Sequence, residues 1–258
     1  MKEKIIKFLL TDEISYFSHF KMIEEYGDKI IYNLTEKQND WAMSMLIPTK
    51  LSVFDIASYP SAEYIVYVAA SNDELLRNIV RELPVNCRLV FKISKPNEKE
   101  IVMERLNLTF KRSYFSYFAD KPINIDCTNV ITALEIDESL VPLWLENGYD
   151  RKSIEKYFNN GAVSFSVYFD NVPLSTCFIF PSFGDIWEIA ALHTIPDERC
   201  KGYGKLVAGA ALNYIVKMSK KFRYQVLNTN IPSIKLIESF GLQKVLTLEH
   251  LYYKGEIL

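Results

Sequence analysis

Between Glu198 and Leu206 the chain reads ERCKGYGKL, which sets Arg199, Gly202 and Gly204 in the spacing R-x-x-G-x-G. A residue without a side chain lets backbone N–H groups approach a ligand closely. A helix that starts directly behind such a loop points its unsatisfied N–H groups, and the positive end of its dipole, at the same place. The chemistry on offer is the binding of a phosphate or pyrophosphate, with Arg199 and Lys201 adding charge. The same residues also suit an ordinary glycine-rich turn at a helix start, and the loop alone leaves both readings open. Two other nucleotide sites do not fit. A P-loop needs four residues between its glycines and then Gly-Lys-Ser/Thr. A dinucleotide fingerprint needs G-x-G-x-x-G and an acid at the end of the next strand; here the next glycine is Gly209, and Arg223 to Thr229 holds no acid.

Such a loop works only if a strand and a helix hold it. DIWEIAALHTI before it reads as a strand and LVAGAALNYIVKMSKK after it as a long apolar helix. RYQVLNT, PSIKLIESFG and VLTLEHLYYK follow as strand, helix and strand. Upstream, ITALEIDESLVPLWLENGY and DRKSIEKYFNNG read as a strand followed by helical segments. AVSFSVYFDNVPLSTCFIF reads as a hairpin turning at Asp170-Asn171. Further towards the N-terminus, AEYIVYVAAS is a strand, SNDELLRNIVREL a helix capped at Ser71/Asn72 and stopped by Pro84, and CRLVFKIS a strand. KPNEKEIVMERLN and FKRSYFSYFA then give a helix and a strand, the aromatics Tyr114 to Phe118 reading as core. From Asp12 to Lys37 the spacing of Ile14, Phe17, Phe20, Ile23 and Tyr26 predicts one or two amphipathic helices broken at Gly27.

The order strand, helix, strand, helix, strand occurs twice. Asn97 to Glu104 overlays Asn230 to Ile237, with Ile101 over Ile234, and after a one-residue gap Asn107-Leu108 falls on Gly241-Leu242. The order of elements, more than these identities, indicates an internal duplication. In the overlay the first copy has only Ser71, Asn72, Asp73 and Glu74 where the second has its arginine and glycines.

The stretch 186–242 resembles the GNAT superfamily of acyl-CoA-dependent N-acyltransferases, in which a strand, an R/Q-x-x-G-x-G/A loop and a helix bind the pyrophosphate of coenzyme A. A second signature, N-x-x-A/S-I-x-x-Y-x-x-x-G-F, is matched at Asn230, Ser233, Ile234, Gly241 and Leu242. The resemblance spans about 130–254. It implies an α/β fold with a mixed sheet: a GNAT domain over 123–258 and a degenerate GNAT-like domain, without the pyrophosphate loop, over 1–122. Acetyl-CoA would be the co-substrate, bound once per chain. The backbone of Leu192, His193 and Thr194 would pair with the pantetheine arm. Arg199, Cys200, Lys201, Gly202, Tyr203, Gly204 and Lys205 would hold the pyrophosphate, and Asn230 and Ser233 would complete the cofactor set. Many members carry a carboxylate base on the strand before the loop. Glu188, 11 residues before Arg199, has that spacing, and its neighbours Trp187 and Ile189 suggest desolvation that raises its pKa. A solvent-facing Glu or one held in a structural ion pair is the other reading of the same residue. The tyrosine that often protonates the departing thiolate would fall at Ile237, which has no proton to give.

The implied reaction is transfer of an acyl group, acetyl in the first instance, to a primary amine of a small molecule or peptide by direct attack in a ternary complex. Alternatives are a non-catalytic acyl-CoA sensor, which Ile237 favours, and a transferase that draws on aminoacyl-tRNA. Composition bounds these. The 258 residues allow one large domain or two small ones, and 49% hydrophobic with 24% charged residues is ordinary for a globular protein. A net charge of −2 disfavours general nucleic-acid binding. Cys87, Cys127, Cys177 and Cys200 are too scattered for a zinc site or disulfide framework, so no metal is expected. Lone histidines at 19, 193 and 250 read first as packed residues. No run reaches the roughly 18 apolar residues of a membrane span, and the cytoplasm is the expected location.

Overall fold

A computed structural model describes residues 1–255. In chain order the elements begin with α1 (Lys2–Leu9), α2 (Phe17–Tyr26), β1 (Ile31–Lys37), β2 (Asp40–Pro48), α3 (Val53–Ser58) and β3 (Tyr64–Ala70). There follow α4 (Asp73–Arg81), β4 (Leu89–Ile93), α5 (Pro96–Arg105), β5 (Leu108–Ala119), β6 (Ile131–Ala133), α6 (Val141–Glu146) and α7 (Arg151–Asn159). The last are β7 (Val163–Phe169), β8 (Val172–Phe183), β9 (Ile186–Thr194), α8 (Tyr203–Lys217), β10 (Lys221–Leu227), α9 (Ile231–Glu238) and β11 (Lys244–Tyr253). They form two compact units. One comprises Met1–Tyr114 and the chain from Leu246 onward, the other Phe115–Val245.

The first unit orders its strands β1-β2-β3-β4-β11. Among the described residues of this unit only β3 and β4 are parallel, pairing Tyr64 to Val66 with Leu89 to Phe91, and α4 crosses between them. Asn72 starts α4 by accepting from the backbone N–H groups of Glu74 (3.0 Å) and Leu75 (3.1 Å). Leu75, Leu76, Ile79 and Val80 then form one buried stripe against Val66, Val68 and Phe91. Burial of each such side chain contributes roughly 1.5–3 kcal/mol. Beyond the third rung the parallel ladder stops, and side chains of α2 and its approach take over. The carbonyl of Val68 meets His19 Nε2 at 2.9 Å, and that of Ala70 accepts from the Tyr16 hydroxyl at 3.3 Å.

The second unit orders its strands β5-β10-β9-β8-β7-β6. The β7–β8 hairpin turns through Asp170 (φ 49°) and Asn171 (φ 63°), the left-handed pair that matches strand twist. Strands β9 and β10 are parallel and joined by α8, repeating the β3-α4-β4 arrangement. Helix α8 buries Val207, Ala208, Ala211, Leu212 and Ile215 against one face, with Phe222, Tyr224 and Val226 of β10 and Ile237 of α9. Helices α6 and α7 cover the other face through Trp144 and Ile154, on Phe178, Phe180, Ala190 and Ala191. The polar connector before β6 runs over α8, where Asn213 accepts from the Ile123 N–H (2.8 Å) and donates to its carbonyl (3.1 Å).

The strands that close the two repeats are exchanged. After α5, the last part of β5 lies beside β10 in the second unit, whereas β11, which follows α9, pairs antiparallel with β4 in the first. One sequence expectation is corrected. The helical reading ends at Tyr26, and Ile31–Lys37 is instead a strand in a hairpin with Asp40–Pro48. No residue of β1 is fully buried and its exposure does not alternate, so it lacks the in-and-out pattern of a strand, and its turn places Gln38 at φ 58° without a glycine to announce it.

Candidate active site

The glycine-rich loop lies where expected, between the end of β9 and α8. Gly202 takes φ 92° directly before Tyr203, a conformation glycine adopts without the steric cost of a side chain. No side chain caps the start of α8, in contrast to Asn72 on α4, so its first N–H groups face the loop without a side-chain acceptor. Gly204 is tight for a different reason: a Cβ there would lie 3.2 Å from Leu236 and 3.3 Å from Thr194 Oγ1, so glycine lets α8 approach β9 and α9. Arg199 Nε donates to the Thr194 carbonyl (3.1 Å) and Lys201 to Glu198 (2.9 Å). Cys200 is exposed with φ 63°. Lys205 Nζ lies 3.5 Å from the Ser239 carbonyl and 5.7 Å from the Phe240 ring, at a cleft of about 400 Å³ also lined by Pro122, Ile123, Asn124 and Ile125.

On β9, Ala191 at φ 50° marks a bulge against β8, where the register shifts between Thr176 and Phe178. The carbonyls of Leu192, His193 and Thr194 already accept from Asn147 Nδ2 (3.0 Å), Ser175 Oγ (3.0 Å) and Arg199 Nε respectively. Asn230 and Ser233 sit together at the start of α9, where the Asn230 side chain accepts from the Ser233 N–H at 3.3 Å. Ile237 is buried in the α8–α9 core.

Glu188 is buried at 6% exposure. Its Oε2 accepts from Arg223 Nη1 and its Oε1 from Ser182 Oγ, both at 2.5 Å. Arg223 is 1% exposed, also donates to Ser116 Oγ (3.2 Å), and lies 5.9 Å from the Phe118 ring. Burial pulls its guanidinium pKa down, and Glu188 opposes that pull. Tyr149, close by, is pushed well above the usual phenol range by burial, with Tyr157 and Glu188 adding to the effect. Sequence reasoning placed Glu188 and passed over Arg223, Ser182, Gln225 and Asn147. The signal for Arg223 was present: an arginine between Phe222 and Tyr224 in an apolar strand needs a buried counter-charge.

His193 Nε2 is buried and lies 3.4 Å from Glu146 Oε2. Burial lowers its pKa from the ordinary imidazole value, Glu146 raises it and Arg199 lowers it further. His19 and His250 belong to the first unit and are buried, His250 meeting the Tyr59 hydroxyl at 2.7 Å. Among the described residues there is no group of three or more His, Cys, Asp or Glu side chains able to hold a metal ion, and no helix long and apolar enough to cross a membrane.

Residues 132–242 match the model of the acetyltransferase (GNAT) family. No curated protein matches the chain. Among solved structures, an acetyltransferase of the GNAT family from Colwellia psychrerythraea superposes with a TM-score of 0.60 at 10% identity, covering 95% of this chain and 97% of that one. A GCN5-related N-acetyltransferase from Kribbella flavida gives 0.59 at 11% identity over 94% and 96%. A tandem GNAT protein from the clavulanic acid biosynthesis pathway gives 0.55 at 7% identity over 92% and 87%. At such identities the likeness is one of fold. The family match spans β6 through α9, and within it lie the loop before α8, the bulged β9 and the Glu188–Arg223 pair: this stretch of the chain is a domain of the GNAT acetyltransferase family.

Proposed function

We propose that the second unit transfers an acetyl group from acetyl-CoA to a primary amine of a small molecule or peptide. The observation that carries this reading is the start of α8 without a side-chain cap, set behind the Gly202 turn at the end of a bulged strand. Its N–H groups, with those of Arg199 to Lys205, would bind the pyrophosphate. The cleft beside Lys205, Ser239 and Phe240 is open for the nucleotide end of the cofactor. Backbone groups of Leu192, His193 and Thr194 would hold the pantetheine arm, and Asn230 and Ser233, which fix the start of α9, would close the cofactor side.

The amine would attack the thioester directly. Holding both reactants in one geometry and polarising the carbonyl supply most of the rate. Glu188 and Arg223 form a buried pair of opposite charges that fixes the acceptor side of the sheet. A sensor that binds acyl-CoA without turnover has one observation in its favour, the buried Ile237 where a proton donor is common. Native mass spectrometry with CoA thioesters, followed by a thiol-release screen over amino acids, polyamines, aminoglycosides and peptides, separates the two. Binding with CoA release to an amine supports the transferase, binding without release supports the sensor, and no binding of any thioester overturns both.

A further inference from the structure

We propose that His193, positioned by Glu146, takes the proton that the acceptor amine must lose, and that the side-chain amide of Gln225 donates to an oxygen of the bound reactants. This rests on the acyl-transfer reading above and concerns the same site.

The placement follows from the strands. Among the described residues, β9 and β10 pair only from Ile186/Lys221 to Glu188/Arg223. A continued register would set Gln225 opposite Ala190 and Leu227 opposite Leu192, but the ladder has stopped. Side chains alternate along β10, and Phe222, Tyr224 and Val226 pack into the α8 side. Arg223 and Gln225 therefore project to the face that α6 and α7 cover. On β9 the bulge resets the alternation. Ile189 and Leu192 pack with the α8 side, Ala190 and Ala191 with the α6–α7 side, and His193 meets Glu146 at the end of α6. His193 and Gln225 thus share a face of the sheet with Glu188, on the two strands that have just ceased to bond each other.

Both side chains are incomplete. Gln225 Nε2 and His193 Nε2 are buried and have no hydrogen-bond partner. Buried polar atoms in folded proteins are nearly always satisfied, so an amide donor left open where a ladder ends indicates a ligand oxygen as its acceptor. For His193 the arrangement is that of a base with its orienting carboxylate. Glu146 faces Nε2 and favours a proton there, which leaves the Nδ1 lone pair to accept another. The 3.4 Å separation is long for a neutral ring and shortens when the ring becomes charged. The charged groups that act on the ring are Glu146 from α6 and Arg199 from the loop. Burial and Arg199 keep the ring neutral near pH 7 and ready to accept. Glu188, by contrast, already has both oxygens engaged by Ser182 and Arg223.

The ammonium gives one proton to His193 Nδ1. The freed lone pair forms the N–C bond as the carbonyl π pair moves to oxygen, next to the Gln225 donor. Collapse breaks the C–S bond, and its electron pair leaves on the CoA sulfur. The second nitrogen proton passes to that sulfur, and the imidazolium releases its Nδ1 proton to solvent once the products leave, while Glu146 holds the Nε2 proton in place. No side chain at Ile237 is required.

The test joins an NMR titration of the His193 ring to kinetics with acetyl-CoA and the amine found by the thiol-release screen. In the wild type the ring should titrate below about 6.5, the ordinary imidazole value, and lower still in Glu146→Gln. The acid limb of kcat/KM should follow it in both proteins. His193→Gln, and His193→Ala as a second variant, should lower kcat by roughly 10²-fold or more with acetyl-CoA affinity within about threefold of wild type. Gln225→Leu should lower kcat without loss of acetyl-CoA binding. Activity of both His193 variants within about threefold of wild type, or an acid limb that stays fixed in Glu146→Gln, overturns the assignment while leaving the acyl-transfer reading intact. A wild type that binds acetyl-CoA and acylates no amine overturns both.

Discussion

Glu188 and Arg223 are partners in the last rung of the parallel β9–β10 ladder, and their side chains close an ion pair where both are almost wholly buried. Strand register, not proximity in sequence, creates this pair. Removing one member leaves the other as an uncompensated charge, at a cost of about 3–5 kcal/mol. Glu188→Gln should therefore lose that much in chemical denaturation, and Glu188→Leu combined with Arg223→Met should recover most of it. Turnover separates the roles. If Glu188 itself takes the proton, Glu188→Gln costs roughly 10²–10⁴ in kcat and the double variant remains inactive; if the pair is structural, activity returns with stability.

Acetyl-CoA should bind once per chain. In the first unit Asn72 occupies the N–H groups that open α4, and Asp73 and Glu74 stand beside them. In the second, α8 has no such cap. Isothermal titration should give a stoichiometry near one, and Gly204→Glu, which drives a side chain into Leu236 and Thr194 and puts negative charge beside the phosphates, should abolish binding. A stoichiometry near two would contradict this account.

Cys200 should be the cysteine most readily alkylated, and acetyl-CoA should protect it. It is the exposed one of the four; Cys87 and Cys127 are partly covered, and Cys177 is buried with its thiol pKa pushed far up. Peptide mapping after limited iodoacetamide treatment reads this directly. Preferential labelling of Cys87 or Cys127 would refute it.

Glu98 makes the first unit sensitive to pH. Burial raises its carboxyl from 4.5 to about 7, against the opposing bond from Tyr16, the charge of Lys95 and the backbone of Ala70. The folded state thus holds a proton that the unfolded chain has released. The contribution is present in full below about 4.5 and disappears as pH rises to about 7, a change on the order of 3 kcal/mol. Stability measured from pH 5 to 8 should fall less in Glu98→Gln than in wild type. Parallel curves would show that Glu98 does not titrate there.

How far the sequence could be read depended on the range of each signal. Local ones were legible: the Asn72 cap, the Asp170-Asn171 hairpin and the Arg199 to Gly204 loop each declare themselves within a few residues. The hairpin of β1 and β2 did not, because β1 is exposed along much of its length and its turn has no glycine. Within the candidate site Glu188 and His193 could be named, since spacing from Arg199 places them. Arg223 could be suspected from its apolar neighbours but not paired with Glu188, and Gln225 and Glu146 could not be named, because their relation to β9 arises from the end of a ladder and from a helix packed across the sheet.

The exchanged strands bear on how the protein is made. A ribosome releases the whole of 115–245 before the last strand that the first unit needs, because β11, which pairs with β4, comes after that stretch in the chain. Vectorial synthesis ordinarily lets the N-terminal part fold first. In this chain the order is reversed: the second unit can finish while β4 still shows a bare edge, and the first remains open until β11 has emerged. Truncation within β11 should therefore damage the unit that begins the chain.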